Sequence, residues 1–111
     1  MPGPAASSEP QYLYLTTRGR KTGKPREIEI WFTRLGERHY VIAEHRRRAR
    51  WVQNLIADPT ASVRVGRQRF RARARVVDAR RETALARAVR ALSVKKYGWG
   101  EGLVIELAQR R

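Results

Sequence analysis

Cysteine is absent from the 111-residue chain, methionine occurs once, and the only histidines are His39 and His45. Without thiols there is no disulfide framework, no cysteine nucleophile and no cysteine-based metal site. Two histidines with no convergent acids do not compose a ligand set either, so no metal is expected. Acidic residues are scarce: Asp+Glu number 10 against 25 Lys+Arg, a formal net charge of +15. Such an imbalance attracts polyanions, anionic membranes and phosphorylated small molecules alike, and does not choose among them. No run approaches the roughly 20 apolar residues of a membrane span. Residues 1–10, MPGPAASSEP, lack both the basic and the apolar part of a signal peptide. They read as a short disordered tail, and the protein as cytoplasmic. No nucleophile, base and orienter share a pattern, and Asp78 and Glu82 read as capping and surface charge.

What is present suits one domain over 11–111. Apolar residues make up 41% of the chain, and about two-thirds of the unfolded surface of a chain this long is buried on folding. Alternation over 11–17 predicts a strand, Arg18 to Pro25 a glycine-bearing turn, and 26–33 a second strand. In that second strand Ile28, Ile30 and Phe32 share one face, and Glu27, Glu29 and Trp31 the other. A turn at Leu35-Gly36-Glu37 leads to a third strand over 39–43, and the three read as an antiparallel meander. Trp51, Val52, Leu55 and Ile56 form a helical stripe ended by Asp58-Pro59.

Further on, a hairpin turning at Gly66-Arg67 would oppose Val65 to Gln68, Arg64 to Arg69, Val63 to Phe70 and Ala61 to Ala72, keeping apolar with apolar. A helix over 80–92, with Asp78 as its cap, and a last strand over 103–107 follow. The expectation is a mainly β domain with two helices: about six mostly antiparallel strands in a small barrel or strongly curved sheet.

Three stretches carry candidate chemistry. In Arg18-Gly19-Arg20-Lys21-Thr22-Gly23-Lys24-Pro25-Arg26 the glycine spacing excludes a Walker-type phosphate loop. Its glycines would still let backbone donors approach an anion, with Arg20, Lys21 and Arg26 adding charge-assisted bonds. A solvated basic turn is the plainer reading. His45-Arg46-Arg47-Arg48-Ala49-Arg50-Trp51, with four arginines between a strand end and the start of the first helix, is a second anion site or a solvated charge run. The hairpin's outer face, Arg64, Arg69, Arg71, Arg73 and Arg75, would follow a nucleic-acid backbone with Tyr12, Tyr14 or Trp31 as stacking surfaces, or is an ordinary exposed face. Trp31 is a platform for a planar ring or is covered by another element. Trp51 suits core packing, Asn54 a surface, capping or ligand role, and Tyr97 and Trp99 either meet a ring or close the barrel end.

Taken together, LTTRGRKTGKPREIEIWF, YVIA at 40–43, Trp51-Val-Gln-Asn-Leu, the Val63-Arg-Val-Gly66 hairpin and FRARARV at 70–76 resemble the deazaflavin-dependent nitroreductase and quinone reductase family. The resemblance covers about residues 12–107 and implies an FMN-binding-protein-like split β-barrel. It implies a reduced deazaflavin (coenzyme F420) as cofactor, FMN or another flavin-like group in some relatives, and hydride transfer to a quinone, nitro compound or similar acceptor. By the motif, Arg20, Lys21, Thr22 and Arg26 would hold the cofactor's phosphate and charged tail, and Trp31, Ala43, His45, Trp51 and Asn54 would line its cleft. Tyr97 and Trp99 stand where some relatives carry a substrate lid. A homodimer would give a role to apolar residues that a single small barrel cannot cover, with its symmetry not fixed by the sequence. One departure stands out: Glu44-His45-Arg46-Arg47 replaces a Ser-Lys-Gly-Gly-like loop, which points to side-chain and not backbone contacts with phosphate. The alternatives are a non-catalytic or FMN-type cofactor binder and a basic nucleic-acid-binding barrel.

Overall fold

The computed structural model describes residues 9–110. Its elements are β1 (Tyr12–Arg18), β2 (Pro25–Trp31), β3 (Thr33–Leu35), β4 (Arg38–Ala43), a 3-10 turn at Arg46–Arg48, α1 (Arg50–Ala57), β5 (Thr60–Val65), β6 (Gln68–Val76), α2 (Thr83–Tyr97) and β7 (Leu103–Gln109). The strands form one antiparallel sheet in the order β2-β1-β5-β6-β7-β4-β3. Phe32 alone separates β2 from β3, yet these strands occupy opposite edges. A sheet whose edges are joined by one residue must curl until they approach, and β2 does reach β4. The result is a half-barrel of seven strands with two helices, of the split β-barrel kind.

That closure corrects the expected meander. β2 pairs with β1 from Tyr12↔Trp31 to Arg18↔Pro25, whereas Thr33 to Leu35 departs to pair with β4. Alternation runs through Phe32 unbroken, so the sequence shows one strand where the chain changes partner. The β5–β6 hairpin has the register read from its sequence, Val65↔Gln68 through Ala61↔Ala72. The repulsion expected of the Arg64↔Arg69 pair is eased because the Arg64 guanidinium lies over the Tyr14 ring at 4.0 Å, with Glu27 at 3.8 Å.

Inside the curl, Leu13, Leu15, Val41, Val63, Ala72, Ile105 and Leu107 pack with Val52 and Leu55 of α1. Outside it, Tyr40, Ile42, Val77 and Val104 pack under Ala86 and Val89 of α2. β4 and β7 are thus buried on both faces, which is why they read as continuous apolar runs. Glu106 is the exception in β7. Only 2% exposed, it accepts hydrogen bonds from Tyr40 Oη (2.9 Å), Arg38 Nη1 (3.0 Å) and Arg75 Nε (3.0 Å). Burial pushes its carboxyl up, but the bonds from Arg75, Tyr40 and Arg38 hold it below the usual 4.5. Arg75 also clasps Glu82 at 2.7 Å, tying the start of α2 to the sheet.

Three helix expectations are corrected. Ile56 of the α1 stripe is 53% exposed while Asn54 is buried. α2 runs five residues beyond Leu92, to Tyr97, and stops at Gly98 in the left-handed region with its N–H on the Val94 carbonyl. Asp78 caps the turn before the helix instead of the helix itself, accepting from the N–H groups of Arg80 and Arg81. The tail expected over 1–10 lies outside the described residues apart from Glu9 and Pro10. Both of these are held by Lys96, whose Nζ donates to Glu9 Oε1 (2.6 Å) and to the Pro10 carbonyl (2.9 Å).

Candidate functional site

The basic loop between β1 and β2 is closed by its own backbone. Gly19 N–H donates to the Lys24 carbonyl (2.8 Å) and Gly23 N–H to the Gly19 carbonyl (2.7 Å). Gly23 has φ +73°, which favours glycine, and a Cβ on Gly19 would crowd Thr22 Oγ1 at 2.8 Å and displace the hydroxyl that Lys24 N–H uses. Lys24 N–H takes Thr22 Oγ1, and Arg20 N–H takes Asn54 Oδ1 (3.2 Å). The N–H groups of Gly19, Arg20, Gly23 and Lys24 are thus engaged within the protein, so the two glycines themselves offer no free donor to an anion. Charge is offered by side chains instead, those of Arg20, Lys21 and Arg26 being exposed.

Asn54 is the strut beneath this loop. Its amide also donates to the buried Thr17 Oγ1 at 3.1 Å, fixing the end of β1, the loop and α1 together. Gln53 does the same on the outside, accepting from Arg20 Nη2 (2.7 Å) and donating to the Arg47 carbonyl (3.1 Å). The two arginine-rich segments noted in the sequence thus lie side by side. Their junction is strained: Arg46 is the one non-glycine residue with positive φ (+52°) among those described. It stands in the segment where the resemblance places glycines.

Two cavities, each about 550 Å³, flank Trp51. One is basic, lined by Arg20, Lys21, Thr22 and Arg26 with Arg50 and Asn54. The other is apolar, lined by Ile30, Trp31, Ile42, Ala43, Trp51 and Trp99, with Glu44 and His45 at its end. Arg26, Ile28 and Ile30, successive residues on one face of β2, run along both. The cavities are therefore the two ends of one cleft, laid along an edge strand and bounded by the first turn of α1. Gly102 keeps the apolar end in shape, because a Cβ there would strike the Ala43 carbonyl at the end of β4.

Trp31 is both covered and exposed. One face stacks on Tyr97 at 4.4 Å and 4°, Trp99 meets it edge-on at 6.3 Å, and 39% of the residue stays accessible at the cleft. Tyr97 does not reach the main cleft. Its hydroxyl accepts from Phe32 N–H (2.9 Å) and faces the carbonyls of Phe32 (2.7 Å) and Gln11 (2.8 Å), pinning the crossing between sheet edges. Trp99 does line the cleft. Arg50, the last arginine of the run singled out in the sequence, lines the basic cavity. Missed in the sequence were Gln53 and Thr17, which carried no signal of their own and whose partners Arg20 and Asn54 lie more than thirty residues away.

No group of three or more candidate ligands gathers to hold a metal among the described residues. No described helix is long and apolar enough to cross a membrane. Compared with known proteins, residues 3–101 match the model of a family described as F420H(2)-dependent quinone reductase. No curated protein matches. Among solved structures, the heme storage protein HutZ from Vibrio cholerae superposes with a TM-score of 0.76 at 20% identity, over 96% of this chain and 87% of that one. An F420-H2 dependent reductase, FDR-A, gives 0.68 at 22% identity over 87% and 93%. A further structure, described as a domain-swapped dimer, gives 0.68 at 20% over 87% and 79%.

Proposed function

The chain belongs to the F420H(2)-dependent quinone reductase family, and from that premise we propose that it binds a reduced deazaflavin along β2 and reduces a quinone, nitro compound or similar small acceptor. It is an oxidoreductase of the deazaflavin- and FMN-binding split-barrel kind. One observation carries the finer reading: a single cleft with an apolar, aromatic end and a cationic end, joined at Trp51. A planar ring with an anionic tail needs that donor set in that order, and each cavity is within the usual size range of small-molecule sites.

When bound, the reduced deazaflavin supplies the hydride. The residues of this chain bind and orient. Arg20, Lys21, Arg26 and Arg50 neutralise the tail through their side chains, the N–H groups of both loop glycines being engaged. Ile30 floors the ring, Ile28 lies beneath the start of the tail, and Trp51 stands where ring and tail join. Trp31, held flat by Tyr97, walls the apolar end, where the acceptor would enter beside Trp99. Tyr97 acts through Trp31 instead of touching the acceptor.

Titration of the protein with oxidised deazaflavin, followed by tryptophan quenching, tests this. Saturable binding is expected, with Arg26→Ala weakening it about tenfold or more, the worth of one charge-assisted hydrogen bond. No saturable binding, or binding indifferent to Arg26→Ala while FMN binds as tightly, would overturn it. The reading extends to a cytoplasmic homodimer. A relative is described as a domain-swapped dimer, and Tyr12 and Trp31, 41% and 39% exposed at the cleft mouth, offer a second copy an apolar surface. Light scattering giving the monomer mass at all concentrations would contradict it.

A further inference from the structure

The basic cleft absorbs only part of the charge. On the opposite surface of the half-barrel, β1, β5 and β6 turn Arg18, Arg69, Arg71 and Arg73 outward, and Arg110 follows β7 beside Arg71. None of these five side chains has an ion-pair partner among the described residues, in contrast to Arg64 and Arg75. Arg18, Arg71 and Arg110 rim a hollow of about 550 Å³ floored by the small hydroxyl residues Thr16, Thr60 and Ser62. One acid, Asp58, lines this hollow and accepts from Thr60 N–H; the others nearby are Glu27, close to Arg64, and Glu29, which accepts from Tyr14.

We propose that this face binds the phosphate backbone of duplex nucleic acid without reading its sequence. A solvated sheet face ordinarily mixes signs, whereas the exposed positions of β6 from Arg69 to Arg75 are all arginine. Arg69, Arg71 and Arg73 recur at about 7 Å along one strand, a rigid ladder of planar forks suited to successive phosphates. The small hydroxyls leave room between the arginine of β1 and those of β6, two strand spacings or about 10 Å apart. The occupant is a duplex because no free ring lies in this band. Tyr14 is covered by Arg64, and Tyr12 and Trp31 belong to the cleft mouth, so unpaired bases would find nothing to stack on. The site is separate from the cofactor cleft and stands or falls without it.

Fluorescence anisotropy with a labelled DNA duplex of about 20 base pairs, between about 50 and 200 mM salt, tests the proposal. Binding is expected to weaken at least tenfold across that range. Arg69→Thr with Arg71→Thr and Arg73→Thr should flatten the log–log salt slope by about two to three, about 0.9 per lost phosphate contact. A thermal melt matching the parent's reports that the variant folds, independently of any cofactor binding. If it does not fold, Arg71→Glu alone must weaken duplex binding. Arg20→Ala with Arg26→Ala should leave duplex binding intact. No binding at the lowest salt, binding unmoved by the face variants, binding lost with the cleft variants, or equal binding to polyglutamate or to phosphatidylglycerol vesicles would overturn it. Tighter binding to the separated single strand would do so as well.

Discussion

Asn54 holds the loop to which cofactor binding is assigned, and its two hydrogen bonds make opposite demands. Its oxygen accepts from Arg20 N–H and its amide donates to Thr17 Oγ1. Asn54→Asp keeps an acceptor but loses the donor, and Asn54→Ala loses both. Removing one partner of a buried bond leaves the other unsatisfied at about 1–3 kcal/mol. Thermal melts should therefore show Ala destabilised by that order, and the same titration should show weaker deazaflavin binding because Arg20 is no longer fixed. Unchanged stability in Asn54→Ala would mean that water replaces the strut. A surface or capping role could be weighed for Asn54 from sequence because its position is at the edge of the helical stripe. Its burial depends on Thr17, which no local pattern links to it.

At the scale of elements, the hairpin was legible and the crossing was not. Binary pattern and a two-residue turn fix the β5–β6 register locally, so sequence alone suffices. The passage from β2 to β3 depends on Tyr97 and Lys96, whose bonds to Phe32 span more than sixty residues. Glu106 did leave a signal, a lone acid in an apolar strand that must find partners, but its meaning needs Arg75, Tyr40 and Arg38 in place. Because its carboxyl is held below the unfolded value near 4.5, the stability it contributes is present above pH 4.5. That stability is lost as pH falls through the lower folded value. In melts against pH, Glu106→Gln should be less stable at neutral pH and should lose less on acidification than the parent. An unaltered acid slope would assign the transition to other carboxylates. The Arg46 turn is legible as a departure from a glycine-bearing loop, and the structure gives it a cost. Left-handed backbone disfavours a side chain by about 1–2 kcal/mol, partly offset by glycine's greater freedom when unfolded. Arg46→Gly should melt at or above the parent, and Arg46→Val clearly below it.

For the whole molecule, the net charge is +15, and two of its basic concentrations lie on different surfaces, the cleft along β2 and the outer face of β1, β5 and β6. Self-repulsion of that size is screened within about 10 Å at 0.1 M salt, so the melting temperature should rise with added sodium chloride. A fall would indicate that attractive pairs such as Arg75 with Glu82 and Glu106 dominate. The split-barrel class was accessible from the residues and from the family resemblance together. The division of charge was not, because the sheet order that separates the two surfaces exists only once the edges meet.

The most direct test of the reductase reading is a stopped-flow record of reduced deazaflavin absorbance after mixing with a simple quinone, with and without protein. Reoxidation accelerated by the protein, and slowed at least tenfold by Arg26→Ala at subsaturating cofactor, is the expected result. Reoxidation at the uncatalysed rate, in a preparation that binds the cofactor, would contradict it.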